Sequence, residues 1–221
     1  MLLNALRDAF INQETLRLAL SRTQPREEPA ANKNAGVALV IVPGPAPGTP
    51  YAPGTSGAEP SFGLPLDLLL IRRAEHPRDP WSGQIGLPGG MKEPADADLL
   101  ATAVRETAEE TGVELPPSSL IGRLDDCRPR RNSLPDVMIR PHVFFLEKRP
   151  ETRCSAELQY CFWAPLPELA KAHEKVELVS SSGNRRTEAY RAANGDLVWG
   201  ITYGILSEFF RKAALSIGTI F

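Results

Sequence analysis

Histidine and cysteine are scarce in this chain of 221 residues, with three of each. His76, His142 and His173 show no ligand spacing, so each is expected to be a packing or surface residue. Cys127, Cys154 and Cys161 are odd in number and contain no C-x-x-C pair. Neither a disulfide framework nor a zinc site is therefore suggested, and reduced, buried thiols are expected. Net charge is nearly absent as well: 25 Lys and Arg against 27 Asp and Glu leave -2. No overall field draws such a chain onto nucleic acid or an anionic membrane, and a small, locally recognised partner fits better. There is no run of about 18 apolar residues, the length that reads as a membrane span. Asn4, Arg7 and Asp8 interrupt the apolar start before it reaches the length of a secretory h-region. The default expectation is a cytoplasmic protein.

What is present suffices for a folded domain, since 42% of the residues are apolar. Leu3, Leu6, Ala9, Phe10, Leu16 and Leu20 recur near helical spacing and predict a helix over Leu2–Leu20, followed by a polar connector to Asn34. Residues 1–34 are thus set apart from a main domain over 35–221. Val37–Val42 and Leu66–Ile71 read as core strands, and Arg72 and Arg73 leave the second one. Between them, Pro43 to Gly63 holds six prolines and five glycines. That stretch buries too little to offset its ordering entropy and reads as a long, mobile hairpin insertion near 43–63, either a tolerated loop or a lid. Met138–Leu146 and Leu158–Trp163 predict two more strands, and Leu166–Ala172 a short helix. Leu197–Thr202 reads as a last strand or the start of a helix, and Tyr203–Ala213 has helical spacing at Ile205, Phe209 and Ala213. This order suggests mixed α/β layers around a sheet.

The chemistry concentrates on a helix expected over about Ala97–Thr111, with Asp96 or Asp98 as N-cap and Gly112 just past its end. At 100° per residue, Glu106, Glu109 and Glu110 span about 100° of one face, while Leu100, Val104 and Ala108 lie opposite and are expected to pack. Glu106 and Glu110 stand at i and i+4, which costs an isolated helix roughly 0.2 to 0.5 kcal/mol unless a cation is present. Oxygen ligands alone suit Mg²⁺ or Mn²⁺, which keep some waters and take further oxygens from a phosphate. Such an ion can lower the pKa of a bound water and neutralise a phosphate leaving group. Arg105 could orient a glutamate from behind.

Gly89-Gly90, Arg105-Glu106, Glu109-Glu110 and Gly112-Val113 resemble the Nudix box, which ends in Arg-Glu-U-x-Glu-Glu-x-Gly-U with U apolar. Thr107 departs from the first apolar position, Gly90 stands one residue further upstream than the general spacing, and Asp96 replaces a glutamate. Leu69-Leu70-Ile71-Arg72-Arg73-Ala74, Arg78, Gly83 and Leu87-Pro88-Gly89-Gly90 resemble the upstream signature of the family's coenzyme A pyrophosphatases. Ile71 and Leu87 stand where that signature has Thr and Phe, and four residues rather than three separate Arg78 from Gly83. The resemblance implies a Nudix-type α/β/α sandwich around a mixed β-sheet. It also implies hydrolysis of a nucleoside diphosphate derivative, which for coenzyme A would give 3′,5′-ADP and 4′-phosphopantetheine. ADP-ribose, a dinucleotide or a nucleoside triphosphate is the alternative substrate, and a non-catalytic nucleotide sensor the alternative class.

By the same resemblance, the Gly90 carbonyl, Glu106, Glu109 and Glu110 map onto metal-binding positions, Arg105 onto an orienting arginine, and Glu157 onto an acidic position read as general base or further ligand. Glu157 as an exposed strand-start carboxylate is the structural reading. Arg72, Arg73 and Arg78 could grip substrate phosphate through planar guanidinium groups. Arg128, Arg130 and Arg131 read as a solvated loop or a site for the 3′-phosphate of coenzyme A. Trp81 is a structural plug or a stacking surface for a base. A homodimer through the N-terminal helix or Leu215–Phe221 stands beside closure of the chain's own core.

Overall fold

The computed structural model describes residues 12–45, 65–77, 79–129, 135–178 and 184–217, with side chains to residue 213. Arg78, Arg130, Arg131, most of the expected insertion and much of the segments expected at the two ends lie outside these residues.

The first helix, α1, runs Gln13–Ser21 and takes a capping box at its start. Asn12 Oδ1 accepts the Thr15 N–H at 2.9 Å, and Thr15 Oγ1 accepts the Asn12 N–H at 2.9 Å. Its apolar stripe, Leu16, Ala19 and Leu20, is buried in the main core.

Strand β1 (Lys33–Pro43) is the centre of a mixed seven-stranded sheet. It runs parallel to β6 (Val137–Phe145), which pairs antiparallel with β5 (Leu120–Arg123). On its other side the C-terminal half of β1 pairs antiparallel with β2 (Leu66–Arg73), and its N-terminal half with β4 (Gly89–Met91). β2 also carries the short β3 (Ile85–Gly86) and β7 (Leu158–Pro165), both antiparallel. A separate three-stranded sheet joins β8 (His173–Leu178), β9 (Arg185–Arg191) and β10 (Leu197–Trp199).

Alternation along the central strands divides the core in two, because successive side chains point to opposite faces. Ala38, Val40, Val42, Leu69 and Phe144 pack beneath helix α2 (Leu99–Thr111). Leu39, Ile41, Leu68, Leu70 and Val143 form the other face, with α1, α3 (Leu166–Lys171) and α4 (Gly200–Ile217). The result is the expected α/β/α sandwich. The alternatives for Leu197–Thr202 are both realised, since β10 ends at Trp199 and α4 starts at Gly200. No helix among the described residues is long and apolar enough to cross a membrane.

The cysteine expectation is corrected. Cys154 and Cys161 form a disulfide, with Cα atoms 6.2 Å apart, and Cys127 is the free thiol. The chain reverses where Leu158 N–H donates to the Ser155 carbonyl, so β7 returns Cys161 to Cys154. Spacing alone does not reveal such a turn. Burial pushes the Cys127 thiol up to about 12, which keeps it protonated and unreactive.

Candidate functional site

Helix α2 starts at Asp98, whose carboxylate accepts the Ala101 N–H at 2.8 Å, and is closed by Gly112 at φ 71°. Of the two N-cap alternatives, Asp98 is therefore the one used. Asp96 instead forms the end of a clamp on Arg105. Arg105 Nε donates to Asp96 Oδ1 at 3.0 Å and Nη2 to Oδ2 at 2.9 Å. The same guanidinium donates to Glu106 Oε1 and Glu109 Oε2, each at 3.0 Å, and to the Met91 carbonyl at 3.3 Å. The Arg105 hydrogen bonds, with help from the Glu93 backbone and Thr102, hold the Asp96 carboxyl well below the usual carboxylate range. Arg105 stays charged in return.

The packing face of α2 differs from the expected one. Thr102, Ala103, Thr107, Glu110 and Thr111 are buried, whereas Leu100, Val104 and Ala108 are only half-buried. The helix lies on the sheet along the line of its threonines and alanine, and this drives Glu110 inward rather than into solvent. Thr102, Thr107 and Thr111 tolerate burial because each hydroxyl donates to the carbonyl four residues earlier.

Glu110 is 3% exposed and accepts the Gly89 N–H through Oε2 at 2.9 Å. Arg73 Nη1 is 3.9 Å from its other oxygen. Burial raises the Glu110 carboxyl to about 7, and like charge from Glu106 and Glu157 adds to it, against the lowering effect of Gly89 and Arg73. Burial also raises Glu106, with Glu109 and Glu157 adding to it and Arg105 opposing. Gly90 lies directly under the Glu106 carboxylate, where a Cβ would sit 2.7 Å from Oε2.

Arg73, Gly89, Gly90, Glu106, Glu110 and Glu157 line one cavity of about 360 Å³. Arg73 is fixed there by a 2.8 Å bond to Asp79 Oδ2. Glu157 is exposed at the start of β7, as its structural reading expects, yet it faces the same cavity. Glu109 is not part of that wall: its side chain is 59% exposed, and Arg105 links it to Glu106. Among the described residues no three His, Cys, Asp or Glu side chains are gathered tightly enough to enclose an ion as they stand. Arg105 draws Glu106 and Glu109 to itself, while Glu110 turns to Gly89. The donor set nevertheless fits a hard divalent cation. It is all oxygen, it is walled by apolar side chains, and its buried carboxyls repel one another, a cost that a 2+ charge removes.

Asp79 and Gln84 belong to the site and were not singled out from sequence, and Asp96, read there as an N-cap alternative and as a replaced glutamate, is the partner of Arg105. Asp79 and Gln84 carry no spacing signal, but a buried acid nine residues before a motif arginine is a partner that could have been sought. Arg128 pairs with Asp136 at 3.0 Å and with the Pro29 carbonyl, so it acts at least partly as a loop clamp. Trp81 is half-buried against the core, as a plug would be, and also lines the cavity. His142 is buried on β6, and His173 pairs with Glu188 at the surface.

A mixed sheet carrying a carboxylate helix behind a Gly-Gly strand defines a class of hydrolase. The NUDIX domain family model matches residues 63–181, and the chain belongs to that family as a pyrophosphohydrolase. It is similar to the uncharacterized Nudix hydrolase NudL of Shigella flexneri serotype 5b, with 30% identity over 213 residues, covering 91% of this chain and 92% of that protein. An uncharacterized protein of Schizosaccharomyces pombe is 32% identical over 127 residues, 54% of this chain but only 39% of that longer protein. Among solved structures, a MutT/nudix family protein from Enterococcus faecalis shares the fold, with a TM-score of 0.52 and 16% identity over 97% of this chain and 77% of that one.

Proposed function

We propose that the chain hydrolyses the diphosphate of coenzyme A or acyl-coenzyme A, releasing 3′,5′-ADP and 4′-phosphopantetheine or its acyl derivative. The observation that carries this reading is the position of Arg73. It comes from the segment resembling the coenzyme A pyrophosphatase signature, and it lines the same cavity as Glu106 and Glu110 of the Nudix box. A guanidinium there suits one oxygen pair of a diphosphate. Arg78, from the same segment, is proposed as a second phosphate contact.

In this reading the Gly90 carbonyl, Glu106, Glu109 and Glu110 hold Mg²⁺ or Mn²⁺. When bound, such an ion activates water and neutralises charge on the leaving phosphate. Arg105 is a positioning residue: anchored on Asp96, it sets the rotamers of Glu106 and Glu109. Glu157 is open to solvent at the cavity edge, which suits a group that takes a proton from water and passes it out. Apolar wall residues such as Val37, Leu87 and Ile139 limit competing water.

The test is product analysis by mass spectrometry with Mg²⁺ or Mn²⁺ and, separately, coenzyme A, acetyl-coenzyme A, ADP-ribose, NADH, a diadenosine polyphosphate and 8-oxo-dGTP. Release of 3′,5′-ADP from coenzyme A, lost in Glu109→Gln, is expected. Cleavage of another substrate alone would retain the hydrolytic site and overturn the substrate. Nucleotide binding without any cleavage would favour a sensor.

A further inference from the structure

The segment just ahead of β7 carries Glu157 to the cavity rim with little of its own to hold it there. None of the side chains from Glu151 to Glu157 is buried, and Cys154, Ala156 and Glu157 are exposed. Its order comes from backbone bonds. The Arg153 N–H donates to the Thr111 carbonyl and the Ser155 N–H to the Glu110 carbonyl, each at 2.8 Å. The residues on either side of Cys154 thus hang on the last turn of α2. Past the turn, the Glu157 carbonyl accepts the Ala74 N–H at 2.9 Å, and β7 follows β2 with Cys161 opposite Ile71. A stretch that buries no apolar side chain opens locally at small cost, however stable the sheet beside it.

The Cys154–Cys161 bond is a covalent tie between these two supports, and Glu157 sits inside the ring that it closes. It limits how far that carboxylate can move from Glu106 and Glu110, which share the cavity with it. The bond is also open to attack. Cys154 is exposed and Cys161 half-buried, so an incoming thiolate meets the Cys154 sulfur first. The thiolate RS⁻ bonds to Cys154 Sγ, the protein's sulfur–sulfur bond breaks, and its electron pair leaves on Cys161, which takes a proton from water. A second thiolate attacks the RS sulfur of the mixed disulfide and releases RSSR and the Cys154 thiolate. Two small thiols are oxidised to one disulfide, and the protein disulfide is reduced to two thiols. Cys127 is held protonated and takes no part.

We propose that this bond is a thiol-sensitive latch on hydrolysis. Closed, it holds the Glu157 loop against the end of α2. Reduced by a small thiol, it lets that loop leave the cavity rim and slows the chemical step. A thiol-rich compartment keeps the latch open, and an oxidising one closes it. The inference rests on the reading of Glu157 as the group that takes a proton from water, whichever diphosphate is cleaved.

The experiment compares the whole chain with and without dithiothreitol, the probe thiol, in Mg²⁺ and with a thiol-free substrate such as acetyl-coenzyme A or ADP-ribose. Amide hydrogen exchange on the same samples needs no substrate. Reduction should speed exchange at Arg153 and Ser155 by about tenfold or more, while Leu39, Val40 and Ile41 of β1 stay protected. It should lower kcat by about tenfold or more and leave KM within about twofold. Replacing dithiothreitol with oxidised glutathione should restore both. Cys154→Ala with Cys161→Ala should behave as the reduced chain in either buffer, and Cys127→Ala should respond as the unaltered chain does. If the double variant does not fold, titrating the unaltered chain with dithiothreitol gives the same answer. In Glu157→Gln, already slow, reduction should change exchange but not kcat.

Unchanged exchange on reduction overturns the latch whatever Glu157 does. Faster exchange with kcat unchanged overturns it as a control of hydrolysis. A fall in kcat of equal size in Glu157→Gln overturns the route through Glu157. All three leave the reading of Glu157 as proton acceptor intact. A Glu157→Gln chain as active as the unaltered one brings that reading down first, and this inference with it.

Discussion

Gly90 lies so close beneath Glu106 that a methyl group on it would sit 2.7 Å from the carboxylate oxygen Oε2. The obstacle is the far end of a flexible side chain, so Gly90→Ala should fold and push Glu106 aside. Hydrolysis should fall by about 10²-fold or more, with the melting temperature little changed. Gly89→Ala is a different case. Gly89 adopts φ 146°, and a Cβ there would lie 2.6 Å from the Val37 Cα, so this substitution should destabilise the whole domain. Activity assays beside thermal melts separate the two, and equal melting temperatures for both variants would contradict this account.

Glu110, proposed as a metal ligand, makes stability depend on pH. Its carboxyl is raised from 4.5 to about 7 in the fold. Below about pH 4.5 it is protonated in both folded and unfolded chains and costs nothing. As pH rises through about 7, the folded group must ionise while buried, and stability on the order of 3 kcal/mol is lost in the metal-free protein. Glu110→Gln keeps an oxygen for the Gly89 N–H and removes the charge. It should melt higher than the unaltered chain at pH 8 in EDTA, show no such gain at pH 4, and be inactive. Added Mg²⁺ should raise the melting temperature of the unaltered chain more than that of Glu110→Gln. Urea or thermal unfolding at the two pH values gives the answer.

Arg105 holds Asp96 with two donors and two glutamates with a third. Arg105→Ala should lower kcat by roughly 10 to 100-fold and raise the Mg²⁺ concentration needed for half-maximal rate. Arg105→Lys should recover little, because an ammonium cannot span Asp96 and both glutamates at once. A rise in KM for substrate alone, with kcat and metal dependence unchanged, would count against a positioning role.

The disulfide closes a short loop that contains Glu157. Unfolded, unreduced protein should show one thiol by Ellman titration and three after reduction. Cys161→Ser should lose about 2.5 kcal/mol of stability from the closed loop. Three thiols without reductant would remove the bond from the account of this loop.

Much of the fold was legible because its signals are local. Apolar runs of strand length, β-branched in β1 and β6, leucine-rich in β2 and aromatic in β7, marked these strands, and an acidic cap with a closing glycine marked α2. β8 and β9 were not legible. They are rich in charged residues and half exposed, so their strand character comes from pairing with each other rather than from burial. The Cys154–Cys161 bond was hidden for a related reason, since it depends on a turn that carries no strong sequence mark.

The sequence by itself determined the chemistry available to this protein. Arg105, Glu106, Glu109 and Glu110 share one helix face whatever lies around it, since helical geometry needs no tertiary context. Only the tertiary structure decided how that face is used. The threonine and alanine stripe of α2 packs on β1, which buries Glu110, leaves Glu109 in solvent, and sets the carboxylates against Gly90 of β4, Arg73 of β2 and Glu157 just ahead of β7. Burial depth and charge neighbours of this kind arise from contacts far apart in sequence, and these set the carboxyl pKa values on which the proposed metal binding would depend.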